Sequence, residues 1–235
     1  MDTMPIPMPG GGVMSMTWMP MCGQGWGGAA ASFLAMWTVM MAAMMLPSSL
    51  PALWRYGQSV GSKGELPDGL PIALAAVGYI LVWILVGAAV YPLGAAIMAA
   101  TMSHPALARA VPVATALVVL TGGLLQFSRW KAHQLACCRR DFCRESLGSG
   151  RALPGGAFAA LCHGLRLGVH CSQCCAGLTA VLLVTGIMDV RAMVAVTAAI
   201  MLERLAPAGE RVARLIGVVV VCAGLLQMAR VAGFA

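Results

Sequence analysis

Trp37-Thr38-Val39-Met40-Met41-Ala42-Ala43-Met44-Met45-Leu46-Pro47-Ser48-Ser49-Leu50-Pro51 is a charge-free stretch that joins membrane-helix hydrophobicity to a density of thioether sulfurs. Core packing alone rarely selects so many methionines together. Working outward, the chain carries no Asp, Glu, Lys or Arg between Thr3 and Trp54, and none between Gly69 and Ala108. A helix needs only about 20 apolar residues to cross the hydrocarbon of a bilayer, so each run has room for a span. Composition agrees: 60% of residues are hydrophobic and 10% charged, against roughly 25% charged in a soluble domain. The expected fold class is therefore all-α, a polytopic transmembrane helical bundle of about six spans.

The windows follow from charge and turn signals. Span one is expected over about Ala29 to Leu50. Span two covers Pro71 to Tyr91, after the turn-forming Leu66-Pro67-Asp68-Gly69-Leu70-Pro71. Pro92, His104, Pro105 and Arg109 interrupt the next apolar run, which reads as a turn plus a short interfacial helix up to Val111. Span three then occupies Pro112 to about Ser128, span four about Cys171 to Met188, span five about Arg191 to Ala206 and span six about Arg211 to Ala232. The last two are short between their charges and require snorkelling arginines.

Cytoplasmic loops retain an excess of Lys and Arg. Arg129, Lys131, Arg139, Arg140, Arg144, Arg151 and Arg166 share one loop, and with six spans Arg55, Lys63, Arg204, Arg211 and Arg214 join them. That side is expected inside, and both termini outside, in a bacterial inner membrane. The net charge of +7 then reports topology and anionic lipid. No aromatic-interleaved basic groove points to nucleic acid. The N-terminus lacks the basic n-region and cleavage site of a secretory signal, so the first span is expected to stay. Residues 1–28 contain seven methionines, four prolines and seven glycines and read as an outer tail preceding one helical domain, 29–235.

Nine cysteines accompany eighteen methionines. Cys171, Cys174 and Cys175 stand at i, i+3 and i+4, on one side of a single helical turn. His170 precedes them, and His163 lies seven residues earlier. Thiolate and imidazole suit copper(I), zinc or an iron–sulfur cluster rather than magnesium or calcium. The alternative is that cysteine serves there as a small apolar packing residue. A second group, His133, Cys137, Cys138 and Cys143, falls among arginines on the expected inner loop, where neighbouring cations favour thiolate. On span one, Met36, Met40 and Met44 form one i, i+4 stripe, with Trp37, Met41 and Met45 beside it. Thioethers bind copper(I) without deprotonation, so the ladder could pass such an ion or simply pack. Met14, Met16, Met19, Met21 and Cys22 offer further sulfur where no core needs filling. Glu203, at the end of a short span, needs a partner such as Arg204, water or an ion. Asp189 and Arg191 read as an interfacial pair, and His104 before Pro105 as a loop residue. Phosphate-cradling loops, nucleophile elbows and His-Glu-x-x-His helices are missing from the sequence.

Met40-Met41-Ala42-Ala43-Met44-Met45-Leu46-Pro47-Ser48 with Pro51, then Gly164, Gly168 and Cys171-Ser172-Gln173-Cys174-Cys175, then Gly186-Ile187-Met188 and Glu203-Arg204, form a combination. It resembles a bacterial family of unknown function described as predicted metal-binding integral membrane proteins, over about Met36 to Gly217. Gln126, Lys131, Cys138 and Arg139 are similar to that family's inner-loop motif. The family's further loop cysteine is replaced here by Gln134, with Cys137 displaced beside Cys138, and an aromatic expected after the cysteine triple is Ala176. The resemblance implies a membrane metal site. The expected metal ligands are Cys171, Cys174, Cys175, Cys138, His170, Met41, Met44 and Met45, with copper first and zinc or an iron–sulfur cluster as alternatives. Three functions fit: copper handling and delivery, a membrane oxidoreductase subunit with a redox metal or exchangeable thiols, or a structural subunit. Partners expected are membrane lipid and a protein partner or second copy.

Overall fold

Peptide groups surrounded by hydrocarbon have no water to satisfy them, so an apolar chain closes its hydrogen bonds within helices. The computed structural model describes residues 25–61, 69–136, 156–186, 189–206 and 208–233, together with a two-residue antiparallel pair, β1 (Ile6–Pro7) and β2 (Val13–Met14). The helices are α1 (Trp26–Gly61), α2 (Leu70–Ser103), α3 (Pro105–Leu125), a short α4 over 129–136, α5 (Ala157–Thr185), α6 (Val190–Leu205) and α7 (Gly209–Val231). Five of them, α1, α2, α3, α5 and α7, are long and apolar enough to cross a membrane. The sixth expected span is α6. Its 16 residues rise about 24 Å, less than the roughly 30 Å of hydrocarbon.

Helix ends differ from the sequence windows for definable reasons. α1 runs through Pro47 and Pro51 to Gly61, and α2 runs through Pro92 to Ser103, so there is no turn after Tyr91: the expected interfacial segment is divided between the end of α2 and the start of α3. In apolar surroundings breaking the helix at Pro92 would strand more peptide groups than the proline does. The true break is one residue, His104, held extended at φ −128° and ψ 104°. The ring of Pro105 disfavours helical backbone in the residue before it. α5 begins 14 residues ahead of Cys171, the start expected from hydropathy. Its first turns are amphipathic: Ala160, Gly164, Gly168, Cys171 and Cys175 are buried while Arg166 is exposed, and a charge on the outer face conceals the helix from a hydropathy reading.

Contact registers define the topology. α1 and α2 are antiparallel, with Gly57 against Ile72 at one end and the Trp37 indole donating to the Trp83 carbonyl at 2.8 Å further along. α2 and α5 run parallel, Ala75 facing Gly164 and Val82 facing Gly168. α3 and α7 are antiparallel, pairing Leu120 with Gly224, Gly123 with Val221 and Phe127 with Gly217. These registers bring Trp26 and Val231 to the same end of the bundle. Small residues permit the close approaches, as in membrane helix pairs: a Cβ on Gly164 would collide with the Ala75 carbonyl, and one on Gly78 with the backbone of Leu161 and Leu165. Leu85, Leu93, Leu117 and Val219 face outward on the bundle surface.

Candidate metal centre

The main buried core takes Phe33, Trp37, Met41, Met44 and Met45 from α1, Tyr79 and Trp83 from α2, Leu135 from α4, Cys171, Cys174 and Cys175 from α5, and Ile200 from α6. Sulfurs separated by more than 120 positions in sequence thus share one interior. Met41 and Cys171 are fully enclosed. The three thiols lie on the inward stripe of α5, and Cys175 is within hydrogen-bonding reach of both Cys171 and Cys174. None of the three is in a disulfide.

Tyr79 ties the two sulfur-bearing helices together. Its hydroxyl stands 3.1 Å from Cys171 Sγ and 3.5 Å from the Met45 carbonyl. The same carbonyl accepts from Ser48 Oγ at 2.9 Å and Ser49 Oγ at 3.2 Å. Arg204 Nη1 donates to those two hydroxyls at 2.9 and 3.3 Å, which anchors α6 to α1. The guanidinium thus joins a chain of contacts that runs through the Ser48 and Ser49 hydroxyls and the Met45 carbonyl to Tyr79 and Cys171.

On the other side of α5, Lys131 Nζ donates to the Cys174 carbonyl at 2.6 Å and meets Glu203 Oε2 at 2.8 Å, while Gln126 Nε2 donates to Glu203 Oε1 at 2.8 Å. Lys131, Gln126 and Glu203 are all buried. Such a pair survives in a low dielectric only when each charge keeps its partner. Of the partners that the sequence suggests for Glu203, Arg204 does not take the role. Lys131 fills it, and Arg204 goes to α1 instead.

The expected ligands fall into three groups. Cys171, Cys174, Cys175, Met41, Met44 and Met45 are gathered in one core. His170 is half-buried beside it, and its Nδ1 is buried with no hydrogen-bond partner among the described residues. Cys138 lies outside the described residues, as do Cys137, Cys143 and the sulfur side chains of the N-terminal tail. His163 is a full two turns from the thiols and stacks on Tyr56, with ring centroids 4.1 Å apart and planes 5° from parallel. Among the described residues, no group of three or more His, Cys, Asp and Glu side chains is assembled closely enough to hold an ion. Tyr79 is the site residue that the sequence reading misses. Its signal is nonetheless there, since a tyrosine in a charge-free span must find a partner for its hydroxyl.

The donor chemistry fits a soft monovalent metal. Thiols and thioethers, enclosed together and away from carboxylates other than the Lys131-paired Glu203, favour copper(I) over hard cations. Gln134 Oε1 and Thr179 Oγ1, like His170 Nδ1, are buried polar atoms without partners among the described residues, which is unusual in a settled core. A family model described as PpoB2, copper chaperone, matches residues 34–227. The chain belongs to this family. PpoB2 membership sharpens the metal-binding resemblance to copper, and zinc and an iron–sulfur cluster gain nothing from it. The matched region covers the whole of α2 to α6 and most of α1 and α7, so the thiol core and the Lys131–Glu203 pair both lie within the PpoB2 region. No curated protein and no solved structure matches the chain.

Proposed function

We propose that the protein is a membrane-embedded copper(I) handler that passes the ion to a protein acceptor. The observation that carries this reading is the convergence of Met41, Met44 and Met45 with Cys171, Cys174 and Cys175 in one enclosed core. Soft ligands of two kinds, thioether and thiolate, let an ion change partners without ever being free in water. Cys138 and His170 are the further ligands proposed. A copper(I) ion on two or more thiolates carries net negative charge, and Arg204, held on Ser48 and Ser49 at the edge of the core, offsets it where water cannot. In this reading the end of the bundle that holds Trp26 and Val231 faces outward, because the basic residues concentrate at the opposite end. Lipid surrounds the bundle, and an apo-protein or second copy receives the metal.

The test is elemental analysis of protein purified anaerobically after growth in copper, alongside a Cys171→Ser, Cys174→Ser, Cys175→Ser variant. Copper is expected to co-purify with the native chain and to be largely lost from the variant, with zinc and iron low in both. Equal copper in the two proteins would show that the thiols only pack, which is the structural-subunit reading.

A further inference from the structure

An open groove of about 830 Å³ runs between α1 and α6, lined by Met36, Met40 and Met44 from one helix and Met193 and Met201 from the other. The remaining lining is Ala, Val and Thr. Thr197, between the two α6 methionines, turns its hydroxyl back to the Met193 carbonyl at 2.6 Å, leaving sulfur as the soft donor along that wall. Residues four apart on a helix are about 5–6 Å apart at Cβ, so Met36, Met40 and Met44 form a continuous series of thioethers. Met36, Met40, Met193 and Met201 are half-buried, whereas Met44 is buried and belongs to the thiol-containing core. The series therefore starts near the first turn of α6 and finishes inside the site. Met36, Met40 and Met193 pack in part against the core, yet they also line the open groove, where the neighbouring surface positions are Ala35, Val39, Ala43 and Val194.

From this geometry we infer that the groove is an entry path for copper(I), a line of exchangeable thioether sites leading from the end of the bundle where α1 begins to the thiols. The inference rests on the copper-handling reading. It joins Met193 and Met201 of α6 to the α1 ladder of Met36 and Met40 and gives the ladder a direction. Thioethers suit transit because they are neutral. The ion keeps its charge, no proton has to leave, and each step exchanges one sulfur for the next.

Two measurements separate this path from the core site. In the first, the Met36→Leu, Met40→Leu, Met193→Leu, Met201→Leu variant in nanodiscs is mixed anaerobically with buffered copper(I), and loading is followed in time. The final copper content is expected to equal that of the native protein, while loading slows on the order of tenfold, the effect of a barrier about 1.4 kcal/mol higher. An unchanged rate, or a lowered final content at an unchanged rate, overturns the path. In the second, silver(I), a soft probe without redox chemistry, is titrated into the triple-serine variant. Silver is expected to bind there through thioethers and to fall when the four leucines are added, the remainder staying on Met41, Met44 and Met45; equal silver in both overturns the path while leaving the thiol site standing. Leucine conserves methionine's volume. Should the four-residue variant not fold, the Met193→Leu, Met201→Leu pair, which leaves α1 intact, is expected to slow loading in the same direction, and an unchanged rate there overturns the path equally.

Discussion

Lys131→Met is expected to destabilise the bundle by about 3–5 kcal/mol, the cost of leaving one member of a buried ion pair without its counter-charge. Glu203 would keep the hydrogen bond from Gln126 but lose the ammonium 2.8 Å from its other oxygen. Neither oxygen can turn to solvent, because the side chain is only 2% exposed. The same substitution removes the donor to the Cys174 carbonyl, so the thiol turn of α5 also loses its tie to α4. Adding Glu203→Gln is expected to recover most of the stability. The pair of neutral side chains buries no charge, and the amide oxygen still accepts from Gln126. Thermal unfolding in detergent of the native protein, both single variants and the double variant measures the coupling directly. A double variant no more stable than Lys131→Met would refute the account, since the unpaired carboxylate would not then be the source of the loss.

Gly164→Ala is expected to cost about 1–3 kcal/mol, the range for overpacking a fitted interior, and Gly164→Leu to prevent α2 and α5 from docking at all. A methyl group at Gly164 meets the Ala75 carbonyl, which is backbone and cannot rotate aside. The helices must separate, and Gly78 and Gly168 lie in the same interface, so the adjustment cannot be confined to one turn. Because Tyr79 and Cys171 come from these two helices, a widened interface also parts the hydroxyl from the thiol. Gly27→Ala is the control: it lies in α1 with nothing within 4 Å of a Cβ there. Its unfolding midpoint should match or exceed the native one. Equal midpoints for Gly164→Ala and the native chain would mean that the close packing of α2 on α5 is not what holds the bundle together.

Several features of the site are legible in the sequence. Cys171, Cys174 and Cys175 stand on one turn by spacing alone, and the core places all three inward. Met44 and Met45 stand out in sequence as soft sulfur side chains on a span, and both are buried. The boundaries are harder. Pro92 reads as a breaker in water and is tolerated inside α2, while Arg166 hides the first half of α5 because hydropathy averages over faces that a helix separates. Partner choice is out of reach for the same kind of reason. Glu203 is adjacent to Arg204 in sequence, yet adjacent residues on a helix point about 100° apart, and their partners lie on α4 and α1.

Composition and periodicity by themselves determined an all-helical, lipid-suited chain with sulfur side chains grouped, among other places, on span one and at Cys171 to Cys175, because charge-free length and i, i+4 spacing are local properties. Only the tertiary structure decided that those two places are one. The parallel docking of α5 on α2, through Gly164 and Ala75, aligns Cys171 with Tyr79, and Tyr79 reaches the Met45 carbonyl of α1. That register is set by where two backbones can approach without a side chain between them, a property of paired surfaces that no single helix carries.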